Sequence, residues 1–384
     1  MKNKRKKIAY ITGTRADFGL MTPVLKEIQA SSRLSLQIFV TGIHLMRAFG
    51  DTKKEVKKMF PDAVMIPSIF LSDDSAGMAR FTGAYLPRVI SAFRRFRPDI
   101  VLLLGDRPEM LVSALACLYL RIPVAHVHGG DKTRTVDEIA RHAITKLSHL
   151  HFPATLAAAR RIEKMGEEKW RIHTVGAPAL DAILHEKLPS RKDVYRFLRC
   201  DESQPFMMVT QHPVSDRAAR AGEEMRETLD AVKKFHLPVV VVYPHADDGG
   251  KRIIAEILRE RRNPLFHIFP SIEYRMFLGI EREAAAWVGN SSAAMIESAS
   301  FHTPVVNVGD RQEGREHGKN VITVPHDRKK IIAAIQKSLY DTRYRARLRS
   351  VTNPWGDGNT APRIRRILEH VTIDSRLLNK QITY

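Results

Sequence analysis

The sequence predicts an α/β fold made of two domains, each with a parallel sheet. Three observations lead there. The chain has 384 residues, more than one hydrophobic core usually accommodates, so two domains are expected. Short β-branched runs alternate with longer amphipathic segments through the first half, and the alternation starts afresh near Pro205. Such alternation builds a parallel sheet covered by helices on both faces, because parallel neighbours need a long crossover.

The elements follow in order. Ile8–Ile11, Leu36–Val40, Ile100–Leu104, Val124–Val127 and His149–Phe152 read as strands, bounded by glycines and polar turns. Met21–Ala30, Gly83–Phe96, Pro108–Leu120 and Glu138–Lys146 read as the helices between them. In the second half the strands are Phe206–Thr210, Val239–Tyr243, Leu265–Ile268, Ala286–Val288 and Val305–Val308. Its helices are Ala221–Phe235, Lys251–Arg262, Ile272–Leu278 and Ala293–Ala299. Past the turn-rich Trp355–Gly356–Asp357–Gly358, a basic helix over Ala361–Glu369 is placed to return to the first domain. The expected division is a basic tail over 1–7, a first domain over 8–187, a crossing over 188–204, a second domain over 205–355, and a C-terminal helix and tail over 356–384.

Composition excludes several function classes. The formal charge of +20 invites a polyanionic partner, but the basic residues are scattered over helical faces, as in Arg94, Arg95 and Arg97 or Arg343 to Arg349. No zinc finger, aromatic single-strand motif or Arg/Gly repeat accompanies them, so no specific nucleic-acid partner is expected. The apolar runs are too short to cross a bilayer, and the basic start lacks the apolar stretch of a signal peptide. Cytoplasmic residence without membrane insertion is the expectation. Cys117 lies in the apolar stretch Ala114–Leu120 and reads as a buried structural thiol; Cys200 is far from it in sequence, and neither supports a disulfide framework or a thiolate metal site.

Parallel sheets bind ligands beyond the carboxyl ends of their strands. After the first strand comes Thr12–Gly13–Thr14–Arg15, then a helix expected from about Leu20. A glycine turn into a helix presents amides to an anion, and Arg15 adds a fork of donors. Neither a GxGxxG nor a GxxxxGK[ST] fingerprint is present. His44 follows the second strand. Asp106 follows the third and reads equally as a helix cap or as a catalytic carboxylate. His126–Val127–His128–Gly129–Gly130–Asp131 and then Glu138 come next, so Asp106, Asp131 and Glu138 are expected to converge at the sheet edge. Clustered carboxylates can divide acid and base work between them. His126 and His128 are read as lying on one face of a strand, within its buried packing, which argues against a metal site. In the second half His212 and His245 stand at strand ends. Gly289–Asn290–Ser291–Ser292 leads into a helix carrying Glu297, a pattern suited to a diphosphate and to ribose hydroxyls, or to an ordinary helix cap. Arg311 and Arg315 add two further anion ligands.

TGTRADFGL, VLLLGDRPEML, HVHGGD, DEIARHAITKLSHLHF, TQHP, VGNSSAAMIES and VVNVGDRQEGR occur in this order. They resemble the UDP-N-acetylglucosamine 2-epimerase family over roughly residues 8–370, in particular its hydrolysing bacterial branch used in sialic-acid synthesis. The resemblance implies two Rossmann-like domains in a glycosyltransferase-B-like arrangement with a central cleft. It implies nucleotide contacts from Arg15, His245, Ser291, Ser292 and Glu297, with Arg311 and Arg315 as additions, and chemistry from Asp106, Glu138 and His212. Asp131 stands where the family commonly has glutamate, one methylene longer. Elimination of UDP to a 2-acetamidoglucal, then hydration with inversion at C2, is the implied reaction. UDP-N-acetylglucosamine is the first expected substrate and a UDP-2,4-diacetamido-2,4,6-trideoxyglucose the second. A non-hydrolysing epimerase, a glycosyltransferase and a sugar-nucleotide-binding protein are the other readings. No NAD, other cofactor or catalytic metal is expected, and a homo-oligomer is.

Overall fold

The computed structural model describes residues 5–47, 50–68, 75–244 and 247–384. The chain divides into two compact units. The first holds the described residues up to Lys132, together with Val136–His185 and Trp355–Tyr384; the second holds Thr133–Thr135 and Glu186–Pro354.

The first unit runs β1 (Lys6–Thr12), α1 (Arg15–Ala30), β2 (Leu34–Val40), α2 (Lys53–Met59), β3 (Val64–Met65) and α3 (Ser75–Phe96). It continues with β4 (Ile100–Leu104), α4 (Pro108–Leu120), β5 (Val124–Val127), α5 (Val136–Leu147), β6 (Leu150–Phe152), α6 (Leu156–Lys164) and α7 (Pro178–His185). Its strands pair in parallel in the order β3-β2-β1-β4-β5-β6. Every residue of β4 is buried, which is why it reads as an unbroken apolar run rather than an alternation. Helix α1 turns Phe18, Met21, Val24, Leu25 and Ile28 inward at helical spacing. It begins at Arg15, a turn and more before the expected Leu20. The Thr14 hydroxyl accepts from the Asp17 amide and the Asp17 carboxylate accepts from the Thr14 amide, a capping box that fixes the start.

The second unit runs α8 (Arg191–Leu198), β7 (Met207–Thr210), α9 (Ala221–Lys233), β8 (Val239–Val242), α10 (Gly250–Arg259), β9 (Phe266–Phe269) and α11 (Tyr274–Glu283). After these come β10 (Ala286–Gly289), α12 (Ser292–Ile296), α13 (Ser298–Phe301), β11 (Val305–Val308), β12 (Val321–Val324), α14 (Arg328–Tyr340) and α15 (Thr342–Leu348). Its sheet is also parallel, ordered β12-β11-β10-β7-β8-β9. The helix expected over Ala293–Ala299 is two short helices that meet at Glu297.

The last elements, α16 (Thr360–His370) and α17 (Ser375–Leu378), belong to the first unit. The Asp181 carboxylate of α7 accepts from the Thr360 and Ala361 amides at 3.0 and 2.8 Å, capping the start of α16. At its other end Lys6 Nζ donates to the Leu368 and Val371 carbonyls, each at 2.7 Å. Lys380 then closes the end of α5, donating to the carbonyls of Lys146 at 2.8 Å and Ser148 at 2.7 Å.

The two sheets share one topology. In each, the chain reverses its direction of travel across the sheet at a switch point, between β1 and β4 in the first unit and between β7 and β10 in the second. Loops at the carboxyl ends of those strands frame the crevice where such sheets hold ligands.

Candidate active site

In the first unit the switch point is lined by the loops after β1 and β4. Gly13 and Gly42 leave room for the fully buried Glu109 carboxylate, onto which a side chain at either position would collide. Arg107 Nε lies 3.4 Å from Glu109 Oε2. Arg15, expected to face an anion, forms a two-pronged pair with Glu55 of α2, including Nε to Oε2 at 2.8 Å. His44 does not face outward. It is fully buried, with Nε2 2.9 Å from the Thr12 hydroxyl and Nδ1 2.6 Å from that of Thr52. Burial pulls its pKa down to about 3, so a neutral ring packed between two hydroxyls stands where a ligand contact was expected.

The carboxylates of this unit are organised by a residue that sequence reading passed over. Arg141, on α5, is 2% exposed. One nitrogen pairs with the Asp106 carboxylate and another donates to the Asp131 carbonyl at 2.9 Å. Burial opposes its charge, but Asp106, Asp131 and Asp137 outweigh burial and raise its pKa. Asp106 is therefore no helix cap; Arg107 takes the cap position of α4, without a side-chain bond. His126 lies in β5, with Nε2 2.7 Å from the Gly105 carbonyl and Nδ1 3.3 Å from the Thr145 hydroxyl, and burial lowers its pKa to about 3.

His128 departs from expectation. The strand ends at Val127, and His128 takes a left-handed backbone with φ 61°. The turn carries its ring off the strand face to lie 5.7 Å from Trp355, with Nδ1 3.1 Å from Asp131 Oδ2. Gly130, with φ 79°, completes the turn, and a Cβ there would strike the backbone of Ala158. Glu138 sits in the first turn of α5, its side chain 27% exposed, with His142 Nε2 3.5 Å away. Arg141 and Asp131 are thus buried, while Glu138 meets solvent one turn from Arg141.

In the second unit, Asn290 spans the switch point. Its side chain accepts from the His212 amide at 2.7 Å and donates to the His212 carbonyl at 2.9 Å. This holds the Gln211–His212–Pro213 loop against the start of α12, where Ser291 is the cap residue and Ser292 the first helical one. Gly289, with φ 132°, brings that loop onto the Thr210 carbonyl, and only glycine fits. Arg311 and Gln312 both donate to the Asn290 carbonyl, at 3.3 and 2.8 Å. Arg315 opens onto a cavity of about 530 Å³ also lined by Arg217, Asp310 and His326. Glu297 is buried and accepts from the Tyr274 hydroxyl at 3.2 Å. Burial raises its pKa to about 7. His245 lies outside the described residues.

Among the described residues, no group of three or more His, Cys, Asp or Glu side chains could hold a metal ion. No helix is long and apolar enough to cross a membrane.

A family model described as UDP-N-acetylglucosamine 2-epimerase matches residues 26–369. The chain is 37% identical over 381 residues to UDP-N,N'-diacetylbacillosamine 2-epimerase (hydrolyzing) of Legionella pneumophila, covering 99% of this chain and 100% of that one. It is 33% identical to GDP/UDP-N,N'-diacetylbacillosamine 2-epimerase (hydrolyzing) of Campylobacter jejuni, over 83% of this chain and 84% of the other. To UDP-N-acetylglucosamine 2-epimerase of Neisseria meningitidis it is 34% identical over 87% of each. A Neisseria meningitidis crystal structure of UDP-GlcNAc 2-epimerase bound to UDP-GlcNAc shares the fold, with TM-score 0.78, 19% identity and coverage of 94% and 99%. That fold is the Rossmann-like, glycosyltransferase-B-like one implied by the sequence resemblance.

Proposed function

The chain belongs to the UDP-N-acetylglucosamine 2-epimerase family, and from that premise we propose that it is a hydrolysing 2-epimerase releasing a free 2-epimeric sugar and UDP. It is an enzyme of the UDP-sugar 2-epimerase kind. The first step breaks the C1–O bond, its electron pair leaving with UDP, while a carboxylate takes the C2 proton; a 2-acetamidoglucal remains. Water then adds its oxygen to C1, and a proton returns to C2 from the opposite face.

One observation carries this reading: a buried arginine holds Asp106 and the Asp131 turn in place while Glu138, one helical turn away, stays open to solvent. A C2 proton beside no carbonyl is only weakly acidic, so positive charge must build at C1 before it leaves. We assign Asp106, fixed by Arg141, to stabilise that charge. Glu138 is assigned proton transfer at C2. Asp131 orients the His128 ring through its 3.1 Å contact. In the second unit, Ser291, Ser292, Arg311 and Arg315 are assigned to the diphosphate, Glu297 to the ribose hydroxyls, and His212 to the departing oxygen. Arg15 is assigned to the nucleotide through exchange of its Glu55 partner. His245 keeps only its expected nucleotide contact.

For the sugar, the full-length match to the Legionella enzyme favours UDP-N,N'-diacetylbacillosamine, that is UDP-2,4-diacetamido-2,4,6-trideoxyglucose. The Neisseria relative favours UDP-N-acetylglucosamine as the second reading. Each nucleotide, incubated alone with the protein, is expected to yield UDP and the free manno-configured sugar, with faster turnover of the diacetamido substrate. Accumulation of the 2-epimeric UDP-sugar without free sugar would overturn hydrolysis, and UDP release only on adding an acceptor would indicate a glycosyltransferase. In heavy water the product should carry deuterium at C2; retention of the original hydrogen rules out elimination. Glu138→Gln should lower turnover by about 10²-fold or more, and unchanged turnover would remove Glu138 from the chemistry.

A further inference from the structure

One buried cluster in the second unit is unexplained by these roles. Glu281, on α11, has no exposed surface, and neither of its carboxyl oxygens meets a hydrogen-bond donor of the described protein. Its ionisable neighbour is another carboxyl, Glu297, itself 1% exposed. Glu297 accepts from Tyr274 through Oε1, and among the described residues no N–H or hydroxyl donor reaches its Oε2. Thr303 reaches only the Glu281 backbone, donating to its carbonyl at 2.9 Å. Two ionised carboxylates cannot stand together in so dry a place, so the pair must hold a proton.

The proton belongs on Glu281. Burial first, and then the charge of Glu297, push the Glu281 carboxyl well up. Burial also raises Glu297, but hydrogen bonds from Glu281 and Tyr274 restrain it to about 7. The other groups facing the cluster are Tyr274, whose hydroxyl is raised by burial, and Glu186, which acts on Tyr274.

We propose that Glu281 is a positioning residue for nucleotide recognition: its carboxyl O–H donates to Glu297 and keeps that buried side chain an anion able to accept the hydroxyls of a vicinal diol. The proposal rests on the assignment of Glu297 to the ribose of UDP. A protonated Glu297 would lose acceptor capacity, whereas Glu281 supplies the donor that lets the negative charge persist without a cation. Affinity for UDP should therefore be level at alkaline pH and fall as pH drops through the Glu297 pKa.

The test measures UDP affinity by calorimetry between pH 5.5 and 9 on the whole protein. In Glu281→Leu the donor is gone, burial acts on Glu297 alone, and the descending limb should move up by about one pH unit, weakening binding near neutrality by up to about tenfold. Glu281→Gln restores a donor through its amide, so its curve should lie near that of the original protein. Mere loss of packing would not move the pH limb, and thermal unfolding of each variant reads packing separately. Superposable curves for the original protein and Glu281→Leu overturn the proposal, as does Glu281→Gln behaving like Glu281→Leu. If Glu297→Gln binds UDP as the original does at every pH, the ribose assignment itself fails. If the unaltered protein binds no UDP, the nucleotide reading fails before Glu281 is in question.

Discussion

Replacing Arg141 with methionine tests the arrangement on which the proposed chemistry depends. The substitution keeps a long apolar stem but deletes the guanidinium that bridges the Asp106 carboxylate and the Asp131 carbonyl. A hydrogen bond to a charged group contributes ~1.5–3 kcal/mol, and breaking a buried ion pair costs ~3–5 kcal/mol because the survivor is stranded. Asp106 retains 23% side-chain exposure while Arg141 has 2%, so water partly rescues the carboxylate and the lower end applies. We expect a loss of about 3 kcal/mol, equivalent to a drop of roughly 6–12 °C in the melting transition of the first unit. If all of that were expressed at the transition state, kcat/KM for UDP release would fall by about 10²-fold. Arg141→Lys should rescue little, because a single ammonium cannot reproduce the planar fork. A double-mutant cycle with Asp106→Asn isolates the pair, with an expected coupling of about 1.5–3 kcal/mol. Additivity within ~0.5 kcal/mol would show that the two side chains act independently, and the reasoning would be refuted.

Gly289→Ala should abolish UDP binding and lower the yield of folded protein, because the new methyl group lands on the Thr210 carbonyl at a backbone with φ 132°; wild-type binding by calorimetry would show that the loop can yield. Four buried histidines of the first unit should withdraw stability as pH drops below about 6.5, against the opposite contribution of the raised Asp17, Glu281 and Glu297 carboxyls. His44 and His126 have pKa values lowered to about 3, and His149 and His151 to about 4, burial being the largest cause in each. They take up protons in the unfolded chain before they do so in the fold, so a His126→Gln variant whose urea midpoint changes between pH 7 and pH 4.5 as much as that of the original protein would contradict this. Burial would raise Glu167, but hydrogen bonds from His151, Lys146 and Lys380 hold it near 2. Its stabilisation, at most about 3 kcal/mol, is present above its ordinary pKa of 4.5 and lost as pH falls from there through 2. Glu167→Gln should therefore flatten that lowest limb of the acid titration.

Elements whose signal is local could be read from the chain alone. β4 and β5 were legible to the residue because full burial leaves an uninterrupted apolar run with a polar turn after it. β3 and β12 were not: the first is two residues long and the second is incompletely buried along its length, so neither carries a clear period. The early start of α1 was written in Thr14 and Asp17, an aspartate variant of the usual capping box. For the candidate site, residue types after the strands and at the start of α5 single out Asp106, Asp131 and Glu138 as candidates, but partners distant in sequence could not be read. Arg141 looks like any helical arginine until folding brings Asp106, 35 positions earlier, against it. His128 was read as a strand residue because nothing in HVHGGD marks where left-handed geometry begins. Glu281 lies in a charged stretch, IEREA, whose composition suggests solvent rather than a buried carboxyl.

The return of α16 and α17 to the first unit bears on the order in which the molecule takes shape during synthesis. Residues 186–354 form most of the second unit and are continuous in the chain, so that unit can collapse as soon as it leaves the ribosome. The first unit emerges earlier but lacks the helix that packs on α1, and the Lys6 side chain has no Leu368 carbonyl to cap until 362 further residues have been made. The half that is translated first must therefore wait with part of its apolar surface uncovered while the half translated later matures. Its completion requires a contact between residues 362 positions apart, one of the longest loop closures the chain permits.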